Sequence, residues 1–207
     1  MRVNVYIDGF NFFYGAVKGT PYKWLDFDKM CRLLLPNHQI NKIKYFTAEV
    51  HARPRDPQQP ARQQTYFRAL RTTANFEIIL GRFLMSKVSM LVAGSPANAP
   101  QYARVVKTEE KGSDVNLATH LLIDGFKNDY EMAVLVTNDS DLLEPIKVVR
   151  YEMNLPVGLL NPHKQPSRAL LPHATFVKQI RKGVLAASQF PSTMTDKQGT
   201  FHKPASW

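Results

Sequence analysis

Strand-like and helix-like segments alternate along this chain, and that alternation predicts an α/β domain built on a mostly parallel sheet. Three observations lead there. Short β-branched and aromatic runs recur, apolar-periodic helical stretches separate them, and 207 residues with 44% hydrophobic content suit one domain with an ordinary core. Such spacing favours right-handed βαβ units, in which ligands bind beyond the carboxyl ends of the strands.

The first run, Val3-Asn4-Val5-Tyr6-Ile7, stops at Asp8-Gly9 and reads as a strand entering a tight turn, with a helix from about Phe12 to Lys18 behind it. Asp26-Phe27-Asp28 opens a helical stretch, Phe27 to Leu35, that Pro36 closes; the two acids are placed to cap its N-terminus. A second strand covers Ile43–Val50, and after a Pro- and Gln-rich loop a helix covers Ala61–Ala74. A third strand spans Phe76–Phe83. Two β-like pieces, Val88–Val92 and Ala103–Val106, flank the turn-rich GSPANAP and read as an inserted hairpin. An apolar helix then runs from Asp114 to Phe126, followed by a strand Ala133–Thr137, an acidic turn Asn138–Asp141, a helix Leu142–Tyr151 and a strand Pro156–Leu160. Residues 1–183 are expected to form the folded domain. Residues 184–207, polar with scattered Pro and Gly, are expected to be a flexible tail.

Lys and Arg number 27 against 17 Asp and Glu, which gives a formal charge of +10 and favours polyanionic partners, nucleic acid first among them. The single cysteine, Cys31, excludes an intramolecular disulfide, sits at an apolar helical position, and reads as a buried, inert thiol in a reducing cytoplasm. The opening MRVNVYIDGFNFFYG lacks the apolar core of a secretion signal, and no run is long enough to span a bilayer, so neither secretion nor membrane insertion is expected.

The chemistry of the chain is carried by acids. Asp8 ends the first strand, Asp114 opens a helix and Asp139 follows the strand Ala133–Thr137, so this topology can gather all three at one sheet edge. Carboxylates crowded in a partly desolvated cleft repel one another unless a cation or protons join them. Hard oxygen donors suit Mg²⁺ or Mn²⁺, which serve phosphoryl displacement in nucleases. Each acid also has a plainer reading. Asp8 with Asn11 fits an Asx turn, Asp114 suits the helix dipole, and Asp141 fits a helix cap as well as a metal ligand. Asn11 can hold Asp8 or a metal-bound water, while Lys111 can contact a phosphate or neutralise Glu109 and Glu110. His120 lies about 120° around its helix from Asp114 and aligns with Asn116 and Asp124, as on a polar face.

Three segments together resemble the NYN domain family, also called LabA-like, of the PIN-like nucleases: Val5 to Asn11, Lys111 to Ala118, and Thr137 to Leu142. A weaker match continues through Val157-Gly158-Leu159 to Phe176. The resemblance implies a three-layer α/β/α PIN-like fold with a mostly parallel sheet, an acidic Mg²⁺ or Mn²⁺ site and endonuclease activity on RNA. It places Asp8, Asp114 and Asp139 on the acidic motif positions, Asn11 on the motif amide, Asp141 on the second acid of Asp-Ser-Asp and Lys111 on the motif lysine. Two positions depart from it: His120 stands where the family often has aspartate, and Leu142 where it has an aromatic. The first departure favours one metal over two.

Substrate contacts are expected from Arg53 and Arg55, in the Pro-rich loop after the second strand, and from Arg168 in a second basic loop with His163 and Lys164. A metal-dependent endoribonuclease is the leading function, with RNA favoured over DNA. An RNA-binding or protein-interaction module that keeps the fold without cleaving is the alternative. Phe10, where an aspartyl phosphatase would need a second Asp, disfavours that third class. The apolar stretch Phe83–Val92 offers a surface for homodimerisation.

Overall fold

A computed structural model describes residues 1–96 and 98–207; Ala97, within the turn-rich GSPANAP, lies outside the described residues. Six parallel strands form the central sheet in the order β3-β2-β1-β6-β7-β8. They are β1 (Arg2–Asp8), β2 (Gln39–Thr47), β3 (Phe76–Leu80), β6 (Met132–Val136), β7 (Val157–Asn161) and β8 (Phe176–Gln179). The order reverses between β1 and β6, which opens a crevice beyond their carboxyl ends. Asp8 ends β1 at the mouth of that crevice.

Strand β1 is buried on both sides, and its alternation assigns residues to two separate cores. Val3, Val5 and Ile7 join one core with α2 (Phe27–Leu34) and α3 (Gln59–Leu70). Tyr6 joins the other with α4 (Ser113–Phe126) and α5 (Leu143–Lys147). Helices therefore cover both faces, giving three layers. Among the described residues no helix is long and apolar enough to cross a membrane.

Several boundaries differ from the sequence expectation. The first helix, α1, begins at Gly9 and ends at Phe12, continuing as a wide turn through Val17. It starts early because the Asp8 carboxylate accepts the Asn11 backbone N–H and caps the helix. Position 9 has no room for a side chain: a Cβ there would lie 2.7 Å from the Phe46 carbonyl oxygen. The third strand is shorter than expected, since Gly81 separates it from β4 (Arg82–Leu91), which pairs antiparallel with β5 (Tyr102–Lys111) in a ribbon outside the main sheet. The expected helix Leu142–Tyr151 is a composite of a tight turn, α5 and a wide turn running from Ser140 to Glu152.

Residues 184–207 were expected as a flexible tail; in the structure they form the end of α6 (Lys182–Ala187) and a hairpin of β9 (Thr193–Asp196) and β10 (Gly199–His202). Aromatic burial accounts for the difference. Phe190, Phe201 and Trp207 gather around Trp24, whose indole N–H donates to the Pro191 carbonyl at 2.8 Å. Arg68 of α3 grips Asp196 with two nitrogens, at 2.6 and 2.7 Å, and stacks on Phe201. Cys31 is buried in the same core, as expected, and burial pushes its thiol pKa up, away from nucleophilic use.

Candidate metal centre

Three carboxylates meet at the crevice. Asp8 comes from the end of β1, Asp114 from the first turn of α4 and Asp139 from the turn after β6, and each offers an oxygen within 4.8 Å of the others. Asp8 is only 4% exposed, while Asp114 and Asp139 are half-buried. Among the described residues no ion pair includes any of the three. Burial and the neighbouring charges register at Asp8 and Asp114. Burial, then the Asp114 and Asp139 charges, pushes the Asp8 carboxyl up to about 6. Asp114 is raised by burial and by Asp139 and Glu110. A group of crowded oxygen donors without a protein cation fits a hard divalent cation, and Asp8, Asp114 and Asp139 are the residues to hold it.

Each carboxylate is held by its local fold. One Asp8 oxygen accepts the Asn11 backbone N–H at 2.9 Å and the other accepts the Thr137 hydroxyl at 3.0 Å. Thr137 in turn accepts the Asp139 N–H at 3.1 Å, so one buried hydroxyl links two of the three acids. Asp139 caps the tight turn that follows by accepting the Asp141 N–H at 3.0 Å. Asp114 is delivered by the start of α4, where Gly112 takes φ 100°, a conformation side chains resist, and Glu110 accepts both the N–H and the hydroxyl of Ser113.

The other expected site residues are distributed around this centre. The Asn11 side chain neither caps a helix nor holds Asp8; its oxygen accepts the Asn138 N–H at 2.9 Å and so pins the acidic turn against α1. Asp141 is exposed and outside the group of three, although its charge contributes to raising Asp114. Lys111 is exposed at the end of β5, 3.8 Å from Glu109. Arg55 and Arg168 are exposed, and Arg53 lines a cavity beside Gly9 and Phe10. The Arg168 loop is tied to the acidic turn, since Asn138 accepts the Ser167 N–H at 2.6 Å and donates to the Gln165 carbonyl. His120 lies away from the carboxylates. Its Nδ1 is 3.2 Å from the Lys44 ammonium, and its ring packs on Phe46.

Two residues escaped the sequence reading. Thr137 and Asn138 read as the end of a strand and the start of a turn, and their bracing roles depend on partners more than a hundred residues away or in another loop. The visible signal was a hydroxyl and an amide directly before a candidate ligand.

The NYN domain profile matches residues 2–178. The chain is 34% identical, over 236 aligned positions covering all of it and 75% of the relative, to 6-hydroxy-3-succinoylpyridine 3-monooxygenase HspA of Pseudomonas putida (strain DSM 28022 / S16). Its fold is similar to the crystal structure of a protein of unknown function from Vibrio parahaemolyticus RIMD 2210633, with a TM-score of 0.56 and 16% identity over 91% of this chain and 96% of that one.

Proposed function

The chain belongs to the NYN domain family, and from that premise we propose that it is a metal-dependent endoribonuclease. The observation that carries the reading is the group of three carboxylates within 4.8 Å, at the switch point of the sheet, with no protein cation paired to them among the described residues. Asp8, Asp114 and Asp139 hold a Mg²⁺ or Mn²⁺ ion, with Asp141 at the rim. When bound, such an ion lowers the pKa of water and stabilises charge developing on a phosphodiester. Asn11 fixes the Asp139 turn relative to Asp8. Lys111, at the end of β5, and Arg53, Arg55 and Arg168, in two basic loops, grip phosphates of a single strand. Excess positive charge strengthens that encounter and makes it salt-sensitive.

Purified protein incubated with single-stranded RNA and DNA, with Mn²⁺, Mg²⁺ or chelator, tests the proposal. Metal-dependent RNA fragments that vanish in both Asp8→Asn and Asp139→Asn are the expected result. Cleavage that persists in both folded variants sinks the assignment. Salt-sensitive RNA binding without turnover at any metal concentration instead identifies a non-cleaving module of the same fold.

Identity to the named monooxygenase along the whole chain favours a second reading, oxidation of a hydroxylated pyridine. Dioxygen consumption with 6-hydroxy-3-succinoylpyridine and a reduced nicotinamide as electron donor would support it. No uptake, alongside RNA cleavage, removes it.

A further inference from the structure

A cavity of about 220 Å³ begins at Gly9 and Phe10, immediately after Asp8, and runs inward between α1, the end of β2 and α3. A water molecule needs roughly 10–15 Å³ on this measure, so the space exceeds a single solvent site and accepts a small ring. Its walls are aromatic. Phe10 and Phe83 meet edge to face at 5.6 Å on one side, and Tyr66 meets Trp207 at 5.4 Å on another. Flat apolar walls of this kind select flat apolar groups.

The charged residues of the lining are unbalanced. Lys23, Arg53 and Arg62 face a single carboxylate, Asp56. Asp56 is already engaged by an Arg62 terminal nitrogen, a contact that holds its carboxyl below the usual range. The Arg62 Nε is buried and has no hydrogen-bond partner. A buried guanidinium donor left unmade costs more than an exposed one, so this position calls for an acceptor that the protein itself does not supply, from water or from a ligand. Gln63, by contrast, is fully used as a brace, donating to the Ala48 carbonyl and accepting the Val50 N–H, both at 2.9 Å. The cavity thus keeps the buried Arg62 Nε beside two further cations, Lys23 and Arg53.

We infer that this cavity is a binding site for a small planar aromatic ring carrying an anionic group, the ring between Phe10, Phe83, Tyr66 and Trp207 and the anion on Arg62. Arg53 and Lys23 add charge at the same end. The site adjoins the Asp8 end of the acidic group but shares none of its three carboxylates, and it does not require them to cut RNA. Two sources supply this chemistry, a free aromatic acid or a nucleotide whose base enters the cavity while its phosphate meets the arginines.

Calorimetric titration of the full chain in chelator, with benzoate, benzamide, uridine 5′-monophosphate and uridine, tests the site apart from any metal. Benzoate or the nucleotide is expected to bind, with its neutral counterpart at least about tenfold weaker, the effect of one charge-assisted hydrogen bond. Binding of benzoate alone assigns the cavity to free aromatic acids, and binding of the nucleotide assigns it to nucleotide recognition. Arg62→Gln should reproduce the neutral-ligand loss, and Phe83→Ala should weaken both members of a pair; circular dichroism checks that each variant is folded. No binding by either anion, or anion binding unchanged in folded Arg62→Gln, overturns the inference. RNA cleavage without anion binding removes this site and leaves the nuclease reading intact, and the converse outcome does the opposite.

Discussion

Strand β1 and helix α4 carry acids at both ends of one sheet face, and the two ends are built in opposite ways. At the carboxyl end, Asp8 and Asp114 meet Asp139 with no cation among them. Further down the same face, Asp124 of α4 accepts the Lys44 ammonium at 2.6 Å and the Tyr6 hydroxyl at 2.8 Å. Asp129 accepts Lys42 with both oxygens and Asn4 at 2.8 Å. There, burial works against Asp129 ionisation, but the hydrogen bonds from Lys42 and Asn4 outweigh it and hold the carboxyl below its ordinary range. Asp8, two residues along β1 from Tyr6, is pushed the other way. The chain pairs its acids at one end of this face and leaves three together at the other, an arrangement that fits an external cation. The contrast also accounts for His120. It lies against Lys44, so the imidazole belongs to the paired end rather than the open one.

Breaking the paired end should have the largest effect. Lys44→Met leaves the Asp124 carboxylate buried without its ammonium, and urea denaturation at pH 7 should show a loss of about 3–5 kcal/mol. Adding Asp124→Asn should restore most of it, because the amide carries no stranded charge and still accepts the Tyr6 hydroxyl. Opposite in sign is the expectation for the open end. In metal-free protein the Asp8 pKa is raised from 3.8 to about 6. Its contribution is therefore fully favourable below pH 3.8 and is lost as pH rises through about 6. Asp8→Asn should stabilise the metal-free chain by of order 2–3 kcal/mol at pH 7, with the gain fading below pH 4. A stability-against-pH series in chelator measures it, and a destabilised variant at pH 7 would break the comparison.

A smaller effect sharpens the role of the linking hydroxyl. Thr137→Val should cost about 1–2 kcal/mol and weaken Mn²⁺ affinity roughly tenfold, since it releases both Asp8 and the Asp139 N–H. Titration calorimetry against Mn²⁺ reads this. The smallest expected change is at the exposed margin of the paired end, where Lys42 and Asp129 are each about a third exposed. Lys42→Ala should lower stability by no more than about 1 kcal/mol, and less in high salt.

Much of this architecture was legible from residue patterns. The β-branched runs located all of β1, β6 and β7 to within a residue or two, and Asp8 and Asp139 could be assigned to strand ends because side-chain period and turn chemistry coincide there. Asp114 was visible through its motif. The pairing of Lys44 with Asp124 was not, because a lysine within a strand looks like ordinary solvent-facing alternation until a helix is laid over it. The closing hairpin was hidden for another reason. Phe190, Phe201 and Trp207 are isolated among polar residues at no regular interval, so neither a helical nor a strand period marks them. The cavity escaped notice because its wall residues come from segments as distant as Phe10, Phe83 and Trp207.

The hairpin that packs on Trp24 also sets an order for acquiring structure. The core containing Tyr6, α4 and α5 has all its residues by Ala174. The core on the opposite face remains incomplete until Phe201 and Trp207 have emerged from the ribosome, more than 170 residues after Trp24. Contacts so distant in sequence form late. One half of the molecule can therefore consolidate during synthesis, while Trp24 stays wet until the hairpin closes over it; Trp24 fluorescence in a Trp207→Phe chain would time that closure.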